Sequence, residues 1–125
     1  MHENDISGAI VDAAIKVHTA LGPGMLESVY EAALAHELEK RGLPVNRQVP
    51  LPVVYEEVRL EEGFRADLVV GGKVMVELKS VDRIADVHKK QLLTYLKLTG
   101  MKLGLLINFN EALIKDGITR IVNKL

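Results

Sequence analysis

Two adjacent glycines constrain this chain more than any other feature. Gly71-Gly72 separates two strand-like runs, about 60–70 and 73–79, and a glycine pair between such runs marks a hairpin turn. Side chains alternate faces along a strand, and residues paired across a hairpin share a face. A two-residue turn would pair Val70 with Lys73 and set Glu77 beside Leu68 and Val70, bringing a carboxylate into an apolar face. A register longer by one residue pairs Val70 with Val74 and Asp67 with Glu77. Leu68, Val70, Val74, Val76 and Leu78 then form an unbroken apolar face, with Asp67, Met75, Glu77 and Lys79 on the other. A one-residue slip exchanges the faces of a whole strand, so the apolar pattern selects the second register. Two acids and a lysine therefore converge on one face of the sheet.

The flanking segments supply the rest of a mixed architecture. Ile6, Ile10, Ala13, Ala14, Val17 and Leu21 recur at helical spacing and predict a helix near residues 5–20, ended by Gly22-Pro23-Gly24. A second helix is expected near 25–41, with Leu26, Val29, Tyr30, Ala33, Leu34 and Leu38 inward and Gly42 as its stop. Val45 to Glu56 reads as extended, and Pro50 and Pro52, which have no N–H to donate, put it at or near a sheet edge. Asp86 to Thr99 reads as a third helix whose stripe Val87, Gln91, Tyr95 and Leu98 faces the sheet. Lys102 to Asn108 has the near-continuous apolar character of a buried strand, and Ile118 to Leu125 is expected as a last short strand. The order α-α-β-β-β-α-β-β describes an α/β (α+β) fold, a mixed β-sheet flanked by helices.

Composition narrows the function classes. A chain of 125 residues fits one domain, expected to span 1–125. The net charge of −1 excludes a histone-like polycation, and 4% aromatic residues with no tryptophan argue against bases stacked in rows on aromatic side chains. Cysteine is absent, which removes disulfides and thiolate metal sites. The four histidines show no second imidazole at ligand spacing, so zinc is not expected. No apolar run approaches the roughly 20 residues of a membrane span, the N-terminus does not read as a secretory signal, and the cytoplasm is the expected compartment.

Asp67, Glu77 and Lys79 admit two readings. One is a solvated sheet face with a Glu–Lys pair of little energetic weight. The other is a cation site, because two close acids repel unless a cation lies between them, and oxygen-only ligands select Mg²⁺ or Mn²⁺. The pattern of Asp67 followed by Glu77-Leu78-Lys79 resembles the active site of the PD-(D/E)XK nuclease superfamily, with its restriction-endonuclease-like core. Ala66 stands where that motif has proline. Gly24-Met25-Leu26-Glu27-Ser28-Val29-Tyr30 resembles the signature of the small GxxExxY family. Gln91-Leu92-Leu93-Thr94-Tyr95-Leu96 and Gly104-Leu105-Leu106-Ile107-Asn108-Phe109 resemble that family's later blocks, in the same order.

The resemblance implies a Mg²⁺-dependent (or Mn²⁺-dependent) nuclease that hydrolyses phosphodiester bonds of DNA, with RNA as second choice. It implies Asp67, Glu77 and the backbone carbonyl of Leu78 as metal ligands, Glu27 as a contact through water, and Lys79 beside the attacking water or the transition-state charge. Gln91 is implied near the lysine and the substrate phosphate. Glu27 has a competing role, as an acid complementing a helix N-terminus. Tyr30 and Tyr95 read more simply as core aromatics with a tethered hydroxyl than as groups lining the site, and His88 lines it or stands exposed. A non-catalytic nucleic-acid-binding or protein-assembly module on the same fold is the rival reading, followed by a small-molecule hydrolase. A homodimer or a partner protein is expected to supply specificity.

Overall fold

The computed structural model describes residues 1–125, the side chain of Glu62 excepted. Two helices come first, α1 (Glu3–Leu21) and α2 (Glu27–Lys40), then strands β1 (Val45–Tyr55), β2 (Val58–Val70) and β3 (Val74–Lys79). Helix α3 (Asp86–Thr99) leads to β4 (Leu103–Asn108), and a short 3₁₀ turn, Ile114–Gly117, precedes β5 (Ile118–Val122). The five strands lie in sequence order in one mixed sheet: β3 and β4 are parallel, the other neighbours antiparallel. β1, with its two prolines, is an edge strand as expected, and the protein has the restriction-endonuclease-like α+β architecture that the element order describes.

Helices cover both faces of the sheet. On one, α1 and α2 bury Ile6, Ile10, Tyr30, Leu34 and Leu38 against Leu68, Val70, Val74, Val76 and Leu78 and against the inner residues of β4. On the other, α3 buries Leu92 and Leu96 against Ala66, Val69, Met75 and Leu106. The register follows the apolar pattern, with Val70 opposite Val74 and Leu68 opposite Val76. Gly71 and Gly72 make the turn at φ 61° and 67°, angles that glycine alone adopts without steric cost.

Helix α3 corrects the expected stripe. Val87, Gln91 and Leu98 are exposed, and Leu92 and Leu96 are the residues pressed on the sheet, with His88 and Tyr95 half-buried beside them. The cause lies on β4, where Gly104 leaves a hollow. A Cβ there would stand 3.0 Å from the Leu92 side chain, so the helix seats Leu92 in the space the glycine leaves. Leu92, Leu93 and Leu96 lie on one arc of the helix and Val87 and Leu98 on another, with polar residues over much of the rest, and its rotation is set by what it lands on.

Candidate active site

The site forms where β2 and β3 part. A regular antiparallel ladder would continue from Leu68–Val76 to Ala66–Leu78, but the pairing ends at Leu68–Val76. The Leu78 N–H instead donates to Asp67 Oδ2 at 2.8 Å, and the Asp67 N–H donates to Glu77 Oε1 at 3.4 Å. Side-chain carboxylates thus replace backbone carbonyls in the fork. Within a strand, the N–H and C=O of one residue leave on the same side, so the Leu78 carbonyl also points into the fork.

Asp67 reaches this position because β2 turns over there. Phe64 and Ala66 pack on the α3 side, whereas Leu68 and Val70 pack on the α1–α2 side. Strict alternation would keep all four on one face. β1 turns over with it, since Val45 joins the first cluster and Val49 and Leu51 join the second. The register is unchanged on either side, with Arg47 opposite Leu68 and Val49 opposite Ala66. The residue between them in β1, Gln48, takes φ 51°.

Electrostatics in the fork are unfavourable for two bare carboxylates. Burial, and then the Asp67 charge, push Glu77 up to about 8. Burial also raises Asp67 above the usual carboxylate range, against the pull of the Leu78 N–H, and the charges of Glu31 and Glu27 add to the rise. Lys79 stands half-buried beside them and lowers both without forming an ion pair with either. Tyr95 is stacked on Phe64 with ring centroids 3.8 Å apart. Burial and the nearby Glu77 charge raise its phenol, so Tyr95 borders the fork from α3.

The remaining predicted residues divide. Glu27 is the first residue of α2, and its Oε2 accepts from the Ser80 N–H at 3.3 Å, just past Lys79. It ties α2 to the end of β3 rather than capping its own helix. Tyr30 is fully buried, stacked on Phe109 at 4.4 Å; its hydroxyl donates to the Gly22 carbonyl and accepts from the Met25 N–H. It is a tether for the turn that presents Glu27. His88 accepts from the Ala85 N–H at 3.1 Å and so caps α3. Gln91 is the residue that the structure does not bring in: its side chain stands in solvent, because the helix seats Leu92 rather than Gln91 on the sheet.

Three residues of this region were not anticipated. Glu31, one helical turn beyond Glu27, is buried and ion-paired to Arg47 Nη2 at 3.0 Å; its i+4 spacing from Glu27 was a usable signal. Gln48 links Glu31 to Asp67, and nothing in sequence spacing points to it. Asn108, fully buried, pairs with Lys79 in register and clamps the following loop, accepting from the Val81 N–H and donating to the Val81 carbonyl. A polar residue closing an all-apolar strand was the signal there. An open cleft of about 840 Å³, lined by Gly24 to Val29, Ser80 and Asn110, adjoins Glu27 but does not include the fork.

Among the described residues no group of three or more His, Cys, Asp or Glu side chains is gathered so as to hold a metal ion. Glu27 is turned to Ser80 and Glu31 to Arg47 and Gln48, which leaves the Asp67–Glu77 pair and the Leu78 carbonyl. That donor set is all oxygen, and it fits an ion such as Mg²⁺, which binds through one or two carboxylates and keeps several waters.

The chain belongs to the PD-(D/E)XK nuclease superfamily, whose family model matches residues 4–121. A solved structure described as the crystal structure of LHK-Exo in complex with dAMP aligns over 97% of this chain and 83% of that one, at 16% identity and a TM-score of 0.44. No curated protein matches the sequence significantly. Among the described residues no helix is long and apolar enough to cross a membrane.

Proposed function

We propose that this protein is a Mg²⁺- or Mn²⁺-dependent nuclease that hydrolyses phosphodiester bonds of DNA, of the GxxExxY type. The observation that carries this reading is the fork itself. Two half-buried carboxylates face each other there, and among the described residues neither has an ion-pair partner. In this reading Asp67, Glu77 and the Leu78 carbonyl hold the ion, with Glu27 contributing through a water. The ion, when bound, supplies positive charge that polarises a phosphoryl oxygen and lowers the pKa of water.

The chain's own residues do the rest. Lys79 leaves β3 half-buried beside the fork, and its ammonium would stabilise an attacking water or a developing phosphate charge there. The Leu78 N–H and the Glu77 side chain keep Asp67 turned into the fork. Tyr95 and Phe64 wall it from the α3 side. Gln91 has no assigned part, since it is exposed.

The test is cleavage of single- and double-stranded DNA and of RNA with Mg²⁺, Mn²⁺ or EDTA, beside Asp67→Asn and Lys79→Ala. Metal-dependent DNA cleavage lost in both variants is expected. Cleavage that persists in EDTA or in Asp67→Asn would sink the assignment, and binding of DNA without cleavage would favour the non-catalytic module.

A further inference from the structure

The Asp67 carboxylate is held on its second oxygen by a chain of contacts that begins on α2. Arg47 of β1 donates from Nε and Nη2 to Glu31 Oε2, at 3.1 and 3.0 Å. Gln48 Nε2 donates to the other Glu31 oxygen, Oε1, and also lies 3.5 Å from Asp67 Oδ1. Glu31 is only 6% exposed, so this anchor is a buried charge with both oxygens occupied. With Asp67 Oδ2 taken by the Leu78 N–H, the two carboxylate oxygens are restrained from opposite sides of β2.

The backbone at Gln48 points the same way. A φ of 51° in the middle of a paired strand is uncommon for a residue with a side chain, and glutamine is not among those that favour it. The turn lies where β1 changes face between Val45 and Val49, and no apolar group at 48 itself is buried by it, since Gln48 is exposed as a residue. Besides turning β1 over, the left-handed backbone brings the glutamine amide to Glu31 and Asp67.

We infer that Gln48, anchored on the Arg47–Glu31 pair, is a positioning residue that fixes the orientation in which Asp67 meets Glu77 and the Leu78 carbonyl. The inference rests on the metal-dependent reading of the fork given above. Groups that orient a metal ligand from outside its coordination sphere raise affinity by about 10- to 100-fold.

Mn²⁺ calorimetry on the full chain, with thermal melting in EDTA, tests it. Gln48→Gly and Gln48→Asn both accept a left-handed backbone, and both lose the reach to Glu31. Each is expected to bind Mn²⁺ about tenfold more weakly while melting no lower than wild type in EDTA. Glu31→Gln, which still offers an oxygen to the Gln48 amide, should bind more tightly than Glu31→Leu. Wild-type affinity in both Gln48 variants overturns the inference, as does a loss of affinity matched by a loss of metal-free melting temperature, which would mark a packing role. Absence of Mn²⁺ binding in wild type overturns the metal reading itself, and this one with it. That outcome is distinct from wild-type binding that ignores Gln48.

Discussion

The two hairpins that share β2 make their turns at similar left-handed angles from opposite materials. At the inner end Gly71 and Gly72 take φ 61° and 67°; at the outer end Glu56 and Glu57 take 47° and 70°. The inner turn sets the register on which both cores depend. A Cβ on Gly71 would stand 2.8 Å from Ile6 Cδ1 of α1, so even the space beside the turn is used. The outer turn joins strand ends whose Val54, Tyr55 and Val58 are exposed, and little apolar burial depends on its register. The difference teaches that a turn in this sheet carries left-handed side-chain residues where nothing is packed and glycine where a Cβ would meet the helix above it.

The sharpest way to break that contrast is activity. Lys79→Ala, at the inner hairpin, should cut phosphodiester cleavage by about 100-fold or more. Tyr55→Ser, at the outer tip, should leave it within about twofold, as for a surface change remote from the site. Initial rates on one DNA substrate compare the two, and an equal loss in both would end the division.

Next comes stability at the turns. Gly71→Val combines a disallowed φ with a clash on Ile6 and should cost about 3 kcal/mol by urea unfolding. A cost below about 0.5 kcal/mol, the range of an ordinary surface change, would show that the inner turn is as permissive as the outer one.

The fork adds a dependence on pH. Burial beside Asp67 pushes Glu77 up to about 8 in the folded protein, from 4.5 for an ordinary glutamate. The folded state therefore holds a proton that the unfolded chain gives up. The stability this contributes to the metal-free protein is full below about pH 4.5 and is lost as pH rises through about 8. Glu77→Gln should flatten that decline and be more stable than wild type by about 2 kcal/mol above pH 8 in EDTA. With metal the slope reverses: one proton leaves on binding, so Mn²⁺ affinity should climb about tenfold per pH unit up to that point. Stability that does not fall with rising pH in EDTA would remove the strain from the fork.

The smallest effect belongs to the outer turn. Glu56→Asn with Glu57→Gly supplies the residue pair that such a turn favours and should raise stability by about 0.5–1 kcal/mol. No change in melting temperature would mean the glutamates are not strained there.

What could be read in the sequence follows the same division. The inner hairpin was legible because its two faces differ so much in polarity that one register alone buries Leu68, Val70, Val76 and Leu78 together. Asp67, Glu77 and Lys79 come with it, and Pro50 and Pro52 mark the edge. The orientation of α3 was not legible, since apolar residues lie on two separate arcs of that helix and the deciding feature is the hollow at Gly104 on another strand. Gln48 was hidden for a stronger reason. Its part depends on a turn-over of two strands in step, which leaves register and alternation intact on either side and no trace in spacing. Glu31 and Asn108 were visible as polar residues in apolar settings, but their partners lie on elements distant in the chain.

The parallel pairing of β3 with β4 has a kinetic consequence. Val74 lies opposite Leu103, with the whole of α3 in the intervening chain, whereas β1 and β2 meet across a tight hairpin. Contacts between residues far apart in sequence close slowly, because chain entropy is lost before they form. β1, β2 and β3 can therefore be laid down together as a local arm of two hairpins, and β4 is added only when the crossover closes. The two acids that repel each other are therefore brought face to face early, across the local β2–β3 hairpin, while water can still solvate both, and are buried only when α3 and β4 close over the sheet. Pulse-labelling hydrogen exchange should accordingly protect the β1–β2 amides before those of β4.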